Sequence, residues 1–154
     1  MTRRKARELA MRLIYAQAAT NDQPEDVLDT FFAEEHYASL QGEDELFDDV
    51  PDEAQLLYIR TLVITCALHR EELDRIISGC SQSWKLERIT RTALAAMRCA
   101  LTEILFLGYP DDTSSVAINE AVEISKSYDL PETTGFINGV LGTFMRGEGS
   151  DESL

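Results

Sequence analysis

The most apolar stretch of the chain, residues 90–110, constrains its fold more than any other feature. It reads TRTALAAMRCALTEILFLGYP, and its apolar residues recur at three- and four-residue intervals before Gly108 and Pro110 end the pattern. A helix that is apolar on most sides has to be surrounded by other elements. Similar helical patterns fill much of the remaining sequence, whereas strand-type alternation is scarce. The sequence therefore predicts an all-α fold with this helix in the middle of a bundle.

Length and composition indicate one domain in a reducing compartment. The chain has 154 residues, and we expect a helical domain over residues 1–146 followed by a disordered acidic tail at 147–154. Three cysteines, Cys66, Cys80 and Cys99, form no CxxC pair and are predicted to be small core residues. No apolar run approaches the ~20 residues of a membrane span, and the N-terminus lacks the uninterrupted apolar region of a signal peptide. We therefore expect a cytoplasmic protein with no membrane partner.

About seven helical segments can be recognised. The stretch 20–40 is predicted to form a loop and then a second helix, with Pro24 as a favourable first-turn residue and Tyr37 as a candidate for its apolar face. A long third helix is predicted from Asp52 to Gly79, with Ile76 on its core face. The remaining helices follow in order without any repeat.

Positive charge is concentrated at the N-terminus. The first fifteen residues, MTRRKARELAMRLIY, contribute 5 − 1 = +4, so the other 139 contribute 9 − 27 = −18 to the net charge of −14. A helix is predicted to begin after Thr2 as N-cap, where cations oppose the macrodipole. At 100° per residue, Arg4, Arg7, Met11 and Tyr15 lie together, opposite the predicted core face. Arg binds phosphate bidentately and Tyr stacks on unpaired bases, so this face predicts an anionic partner, and single-stranded RNA uses both groups.

Negative charge is concentrated between residues 42 and 53. The stretch GEDELFDDVPDE contains seven acidic residues, and no Lys or Arg occurs from residue 13 through 59. A solvated acidic loop is one interpretation. A segment that docks a partner, or one that competes for the basic helix, is the other.

The sequence contains no recognisable catalytic or metal-binding pattern. The two histidines, His36 and His69, are far apart, and neither has another ligand at metal-binding spacing. No nucleophile elbow, P-loop or dinucleotide fingerprint is present. The sequence therefore predicts a binding protein without catalytic residues, metal or cofactor.

Several motifs follow one another along the whole chain: RRKARELAMRLIY, a Trp before ER and LAAMRCALTEIL, VAINEAVEISKSY, and FINGVL. Together they resemble the NusB family of transcription antitermination factors over roughly residues 2–146. The resemblance implies seven helices in two small bundles and no enzymatic activity. It implies binding of boxA-type single-stranded RNA in nascent ribosomal RNA together with NusE, a small-subunit ribosomal protein, in the RNA polymerase antitermination complex. Monomer and homodimer are both compatible with this fold.

The resemblance also implies which residues contact RNA. Cations of the first helix would bind phosphates and base edges, and aromatic side chains would stack on bases or line the RNA path. Carried over position by position, the RNA-binding residues are Arg3, Arg4, Lys5, Arg7, Tyr15, Arg98, Glu132 and Phe136. For Arg98 the alternative is an ion pair with a nearby carboxylate, and for Phe136 it is packing in the core.

Three positions depart from the family pattern by lacking a lysine or another basic residue. Neutral residues stand at Leu94, at Gly135 and in the stretch 113–115. Fewer cations mean weaker phosphate binding, so cooperation with NusE becomes more necessary. One alternative is a protein–protein interaction module, binding NusE or itself, with weak or lost RNA binding. Another is an accessory domain of an rRNA-modifying enzyme.

Overall fold

The computed structural model describes residues 1–81, 85–108 and 114–147, and these residues contain helices and no strands. The predicted all-α fold is therefore confirmed. The predicted tail from residue 148 onward lies outside the described residues. The described α-helices are α1 (Arg3–Thr20), α2 (Pro24–Phe31), α3 (Glu34–Leu40), α4 (Glu53–Leu68), α5 (Arg70–Cys80), α6 (Arg91–Phe106), α7 (Ser114–Ser125) and α8 (Pro131–Met145). Two short 3₁₀ helices, η1 (Glu45–Phe47) and η2 (Leu86–Arg88), lie between them.

The chain divides into two compact units, Met1–Ala67 and Leu68–Leu154, in agreement with two small helical bundles. In the first unit, α1 packs against α2 and η1. The predicted N-cap of α1 is confirmed, because the Thr2 hydroxyl accepts a hydrogen bond of 3.1 Å from the backbone N–H of Lys5. The helix ends at Asn21, which adopts the left-handed conformation with φ of 58°.

In the second unit, α6 is enclosed by α5, α7 and α8. Every residue from Ala93 to Glu103 is buried, which confirms the prediction of a central helix. Alanine occupies four of these positions, and its small side chain lets neighbouring helices approach on several sides. The start of α6 is held by Thr90, whose hydroxyl accepts from the backbone N–H of Ala93 at 3.2 Å. The three cysteines are buried, as expected for small core residues.

The prediction of a single second helix in the stretch 20–40 was wrong beyond its start. Helix α2 does begin at Pro24, but it ends at Phe31, and Ala33 adopts an extended conformation before α3 begins. The break allows aromatic rings from both helices to pack together: Phe32 stacks on Tyr37 with centroids 5.7 Å apart, and Phe31 meets the same ring edge-on at 5.8 Å. This aromatic packing competes successfully with continuation of the helix.

The prediction of one long third helix from Asp52 to Gly79 was also wrong. The helix is interrupted at His69, which separates α4 from α5 near the boundary between the two units. The imidazole ring of His69 stacks on Phe106 with centroids 3.9 Å apart and planes within 9°. The interruption changes the phase of the buried face, so Ile77 is fully buried where Ile76 was expected.

Truncation of a core side chain in α6 tests the importance of this central helix. Leu101 is fully buried, so Leu101→Ala should lower the free energy of unfolding by about 2–5 kcal/mol through lost burial and a residual cavity. Urea denaturation measures this change. The same substitution at Leu57, which is 67% exposed, should change it by less than about 0.5 kcal/mol. Equal effects of the two substitutions would contradict the central position of α6.

Candidate nucleic-acid interface

Helix α1 exposes a narrower face than its sequence predicts. Met11 and Ile14 are buried in addition to the predicted core residues Ala6, Leu9, Ala10, Leu13 and Gln17, whereas Ala16, which was also predicted, is half-buried. Burial therefore covers more than half of the helix circumference. Arg7 lies inside this wider arc and is only 6% exposed. The prediction that Arg7 and Met11 share an exposed basic face with Tyr15 was therefore wrong. The width of the buried arc follows from the elements that pack against α1.

The exposed strip of α1, which we define by the side chains of Arg4, Lys5, Arg12 and Tyr15, combines cations with one aromatic ring. Arg4 is exposed and Tyr15 is 39% exposed, as expected for residues that contact a ligand. Arg12, which is not among the predicted RNA-binding residues, lies one turn before Tyr15 on the same strip. Its spacing of eight residues from Arg4 and three from Tyr15 was the signal that identifies it. The strip therefore offers both phosphate-binding groups and a stacking surface.

Arg3 is held at the beginning of α1 by a neighbouring ring. Its guanidinium carbon lies 3.8 Å from the ring centroid of Tyr58, a buried residue of α4. A cation over an aromatic face is attracted by the ring quadrupole. This contact gives the exposed Arg3 side chain a defined position next to Arg4.

Two other cations of α1 are paired with an acidic segment, residues 44–49, which contains η1. Lys5 Nζ lies 3.3 Å from Asp49 Oδ2, and Arg12 Nη2 donates to Asp44 Oδ2 at 2.8 Å. The guanidinium of Arg12 also lies 5.3 Å from the ring centroid of Phe47. The acidic stretch is thus packed along α1 at these residues.

The environment of Asp44 stabilises its ionised form. The backbone N–H of Leu46 donates to Asp44 Oδ1 at 3.0 Å, and Arg12 provides the second hydrogen bond. These interactions, the backbone hydrogen bond first, lower the pKa of Asp44 from its ordinary value of 3.8 in spite of opposing partial burial.

In the second unit, Glu132 and Phe136 lie one turn apart on α8 and line a common pocket of about 130 Å³. The pocket is also lined by Arg88, Ile89, Thr90 and Thr133, none of which was predicted from the sequence. Phe136 is half-buried, so its ring contributes to packing and also forms part of the pocket wall. The pocket combines a ring, a carboxylate, a guanidinium and hydroxyl groups. These are the groups with which proteins stack and hydrogen-bond an unpaired base.

Arg98 forms the ion pair that was its alternative interpretation. It is 7% exposed, and its Nε and Nη2 donate to the two carboxylate oxygens of Asp74 at 2.7 and 2.9 Å. This bidentate geometry links α6 to α5. The predicted contact of Arg98 with RNA is therefore not the role that this geometry favours.

The predicted RNA-binding residues are divided between the two units. Arg3, Arg4, Lys5, Arg7 and Tyr15 belong to the first unit, and Arg98, Glu132 and Phe136 belong to the second. The exposed strip of α1 and the α8 pocket are thus two candidate surfaces. Within the described part of the chain, no group of three or more His, Cys, Asp or Glu residues has the geometry of a metal site. None of the described helices is long and apolar enough to cross a membrane.

The Asp44 environment predicts a pH dependence of stability. Because the pKa of Asp44 is lowered on folding, its contribution is complete above its unfolded value of about 3.8 and is lost as pH falls through the folded value. Asp44→Asn should lower the free energy of unfolding at pH 7, and its difference from the unmodified protein should shrink toward zero near pH 2. Urea denaturation at the two pH values measures both quantities. A stability difference between Asp44→Asn and the unmodified protein that persists at pH 2 would contradict this role of the ionised Asp44.

The Arg98–Asp74 pair predicts a large change in stability. Arg98→Met leaves a partly buried carboxylate without its cation and should lower the free energy of unfolding by about 3 kcal/mol. The double variant Arg98→Met/Asp74→Leu removes both charges and should recover most of this loss. Chemical denaturation of the two variants and the unmodified protein measures these free energies. An unchanged stability of Arg98→Met would show that the ion pair contributes little to folding.

Comparisons with known proteins agree on one family. A family model described as the NusB family matches residues 4–146. A transcription antitermination protein NusB from Alkaliphilus oremlandii is 35% identical over 149 residues, which cover 97% of this chain and 96% of that protein. The NusB of Thermoanaerobacter sp. (strain X514) is 34% identical over 152 residues, covering 99% and 96%.

Solved structures show the same fold. A crystal form of NusB from T. maritima aligns with a TM-score of 0.72 at 22% identity, covering 99% of this chain and 97% of that one. A crystal structure of the antitermination factors NusB and NusE in complex with dsRNA also gives a TM-score of 0.72, at 21% identity and with 94% and 96% covered.

Proposed function

The chain belongs to the NusB family, and on this premise we propose that it is a non-enzymatic transcription antitermination factor that binds boxA-type RNA together with NusE. In this role it supports transcription and processing of ribosomal RNA within the RNA polymerase antitermination complex. Such a factor acts in the cytoplasm. The relatives named above carry the antitermination function in their names, and the chain aligns with them over nearly its whole length.

The exposed strip of α1 is the observation that supports RNA binding most directly. Arg4 and Tyr15 are exposed on the same helix. The 139 residues that follow the first fifteen carry a net charge of −18, so cations are scarce elsewhere in the chain. They are eleven residues apart, or about 16 Å along the helix axis. A phosphate at Arg4 and a base at Tyr15 are therefore reached by one extended RNA strand. Repulsion from distant acids is screened beyond about 8 Å at physiological salt.

The α8 pocket supports a second point of contact. Because Glu132 and Phe136 line the same pocket, an unpaired base that stacks on Phe136 lies close to a carboxylate that can accept a hydrogen bond from an exocyclic amino group. Glu132 lies in the first turn of α8, where the helix macrodipole stabilises a carboxylate. Arg88, also at the pocket, is exposed and carries the positive charge that a phosphate requires. The pocket thus combines base recognition with charge.

The state of the remaining cations supports a requirement for NusE. Arg7 is buried, Arg98 is paired with Asp74, and Lys5 is paired with Asp49. Fewer cations are therefore available to RNA than the sequence predicts. The acidic remainder of the chain suits association with a basic ribosomal protein. This observation also favours the second candidate function, an interaction module for NusE or a second copy of the chain with weak RNA binding.

The proposal is tested by fluorescence anisotropy with a short labelled boxA-type RNA, with and without NusE, at several salt concentrations. With two to three phosphate contacts, the log–log salt slope should be about −1.5 to −2. Arg4→Ala/Tyr15→Ala removes one phosphate contact and one stacking contact, so it should weaken binding about ten-fold or more. Arg75→Ala, on an exposed position of α5, is the control and should change affinity by less than about two-fold.

The same experiment distinguishes the two candidate functions. Binding of RNA that depends on NusE and on the α1 strip supports the antitermination factor. Binding of NusE with no RNA affinity at any salt concentration would instead establish the interaction module.

A further inference from the structure

The acidic segment 44–49 lies along the exposed strip of α1 and occupies two of its cations. The acidic segment runs antiparallel to α1, because Lys5 pairs with Asp49 whereas the later Arg12 pairs with the earlier Asp44. Lys5 and Arg12 are seven residues apart, which is about 10 Å along the helix. A short acidic segment thus spans two turns of the helix that carries Arg4 and Tyr15.

The segment is fixed to the first unit by apolar anchors between its charges. Leu46 and Phe47 are 3% and 6% exposed, and the ring of Phe47 packs against Phe31 at 6.1 Å and Tyr37 at 6.2 Å. The hydroxyl of Tyr37 donates to the backbone carbonyl of Asp49 at 2.7 Å. Because the backbone is held in place, the carboxylates meet the cations of α1 without a large loss of entropy.

We propose that this segment is a built-in competitor for RNA, whose carboxylates at Asp44 and Asp49 occupy Lys5 and Arg12 until RNA phosphates displace them. The inference rests on the proposed function, because it concerns the same strip of α1. It assigns a regulatory role to a part of the chain that otherwise has the composition of a solvated loop.

The exposure of both pairs permits this exchange. The side chains of Lys5 and Asp49 are 35% and 47% exposed, and those of Arg12 and Asp44 are 34% and 40% exposed. Ion pairs with this exposure are weak and are screened by salt. Phosphate oxygens reach the same cations from solvent, and the apolar anchors keep the segment folded after its charges are displaced. RNA binding therefore requires no unfolding of the first unit.

Two double substitutions, one at the paired carboxylates and one at carboxylates of the same segment that are unpaired in the described part of the chain, test the proposal. Asp44→Asn/Asp49→Asn removes the two carboxylates that face α1, whereas Glu45→Gln/Asp48→Asn removes two charges from the same segment at exposed positions without a cation partner among the described residues. Affinity for the labelled boxA-type RNA with NusE is measured by anisotropy at low salt. The first variant should bind RNA roughly three- to ten-fold more tightly than the unmodified chain. The affinity of the control variant should differ from that of the unmodified chain by less than about two-fold.

A second comparison separates local pairing from total charge. In a Lys5→Ala background, Asp49→Asn should no longer increase RNA affinity, because the carboxylate then has no cation to release. Circular dichroism and thermal unfolding of each variant establish that it is folded.

Each outcome decides the proposal. Equal gains in the two double variants would show an effect of total charge and would overturn it, and so would RNA binding that neither double variant changes. Absence of RNA binding in every variant, including the neutralised one, would overturn both this inference and the proposed function.

Discussion

Enclosure of α6 by three other helices is the constraint on which the second unit depends. A helix that is buried from Ala93 to Glu103 has to satisfy all its polar groups within the protein. The Thr102 hydroxyl does so by donating to the backbone carbonyl of Arg98 at 2.6 Å. The Arg98 side chain does so with Asp74 of α5. A residue that resembles an RNA contact in the sequence is thereby committed to holding two helices together.

A similar constraint shapes the basic helix. Wide burial of α1 confines its exposed groups to a narrow strip and removes Arg7 from it. On that strip, cations, an exposed ring and the carboxylates of the segment 44–49 are close neighbours. Local attraction of RNA and local competition with it therefore arise from the same few turns. In a chain with a net charge of −14, the N-terminal cations thus lie directly beside carboxylates of the same unit.

The candidate surfaces were predicted only in part. Arg4 and Tyr15 are exposed as expected, because at 100° per residue they lie just outside the buried arc, which extends as far as Arg7 and Met11. Glu132 and Phe136 meet because they are four residues apart on one helix. Arg88 and Thr90 join them from outside α8, and no spacing in the sequence indicates that proximity. Arg12 could have been predicted as well, because it lies three residues before Tyr15 on the same helix.

The sequence by itself determined the helical class, the central position of α6, the Thr2 N-cap and the start of α2 at Pro24. These features depend on periodicity and capping within a few residues, so local chemistry is sufficient for them. Only the tertiary structure decided where helices break and which carboxylate meets which cation. The decisive partners are 24, 32 and 44 residues apart in the chain. Interactions of this range form when apolar burial brings distant segments together, and no local pattern encodes them.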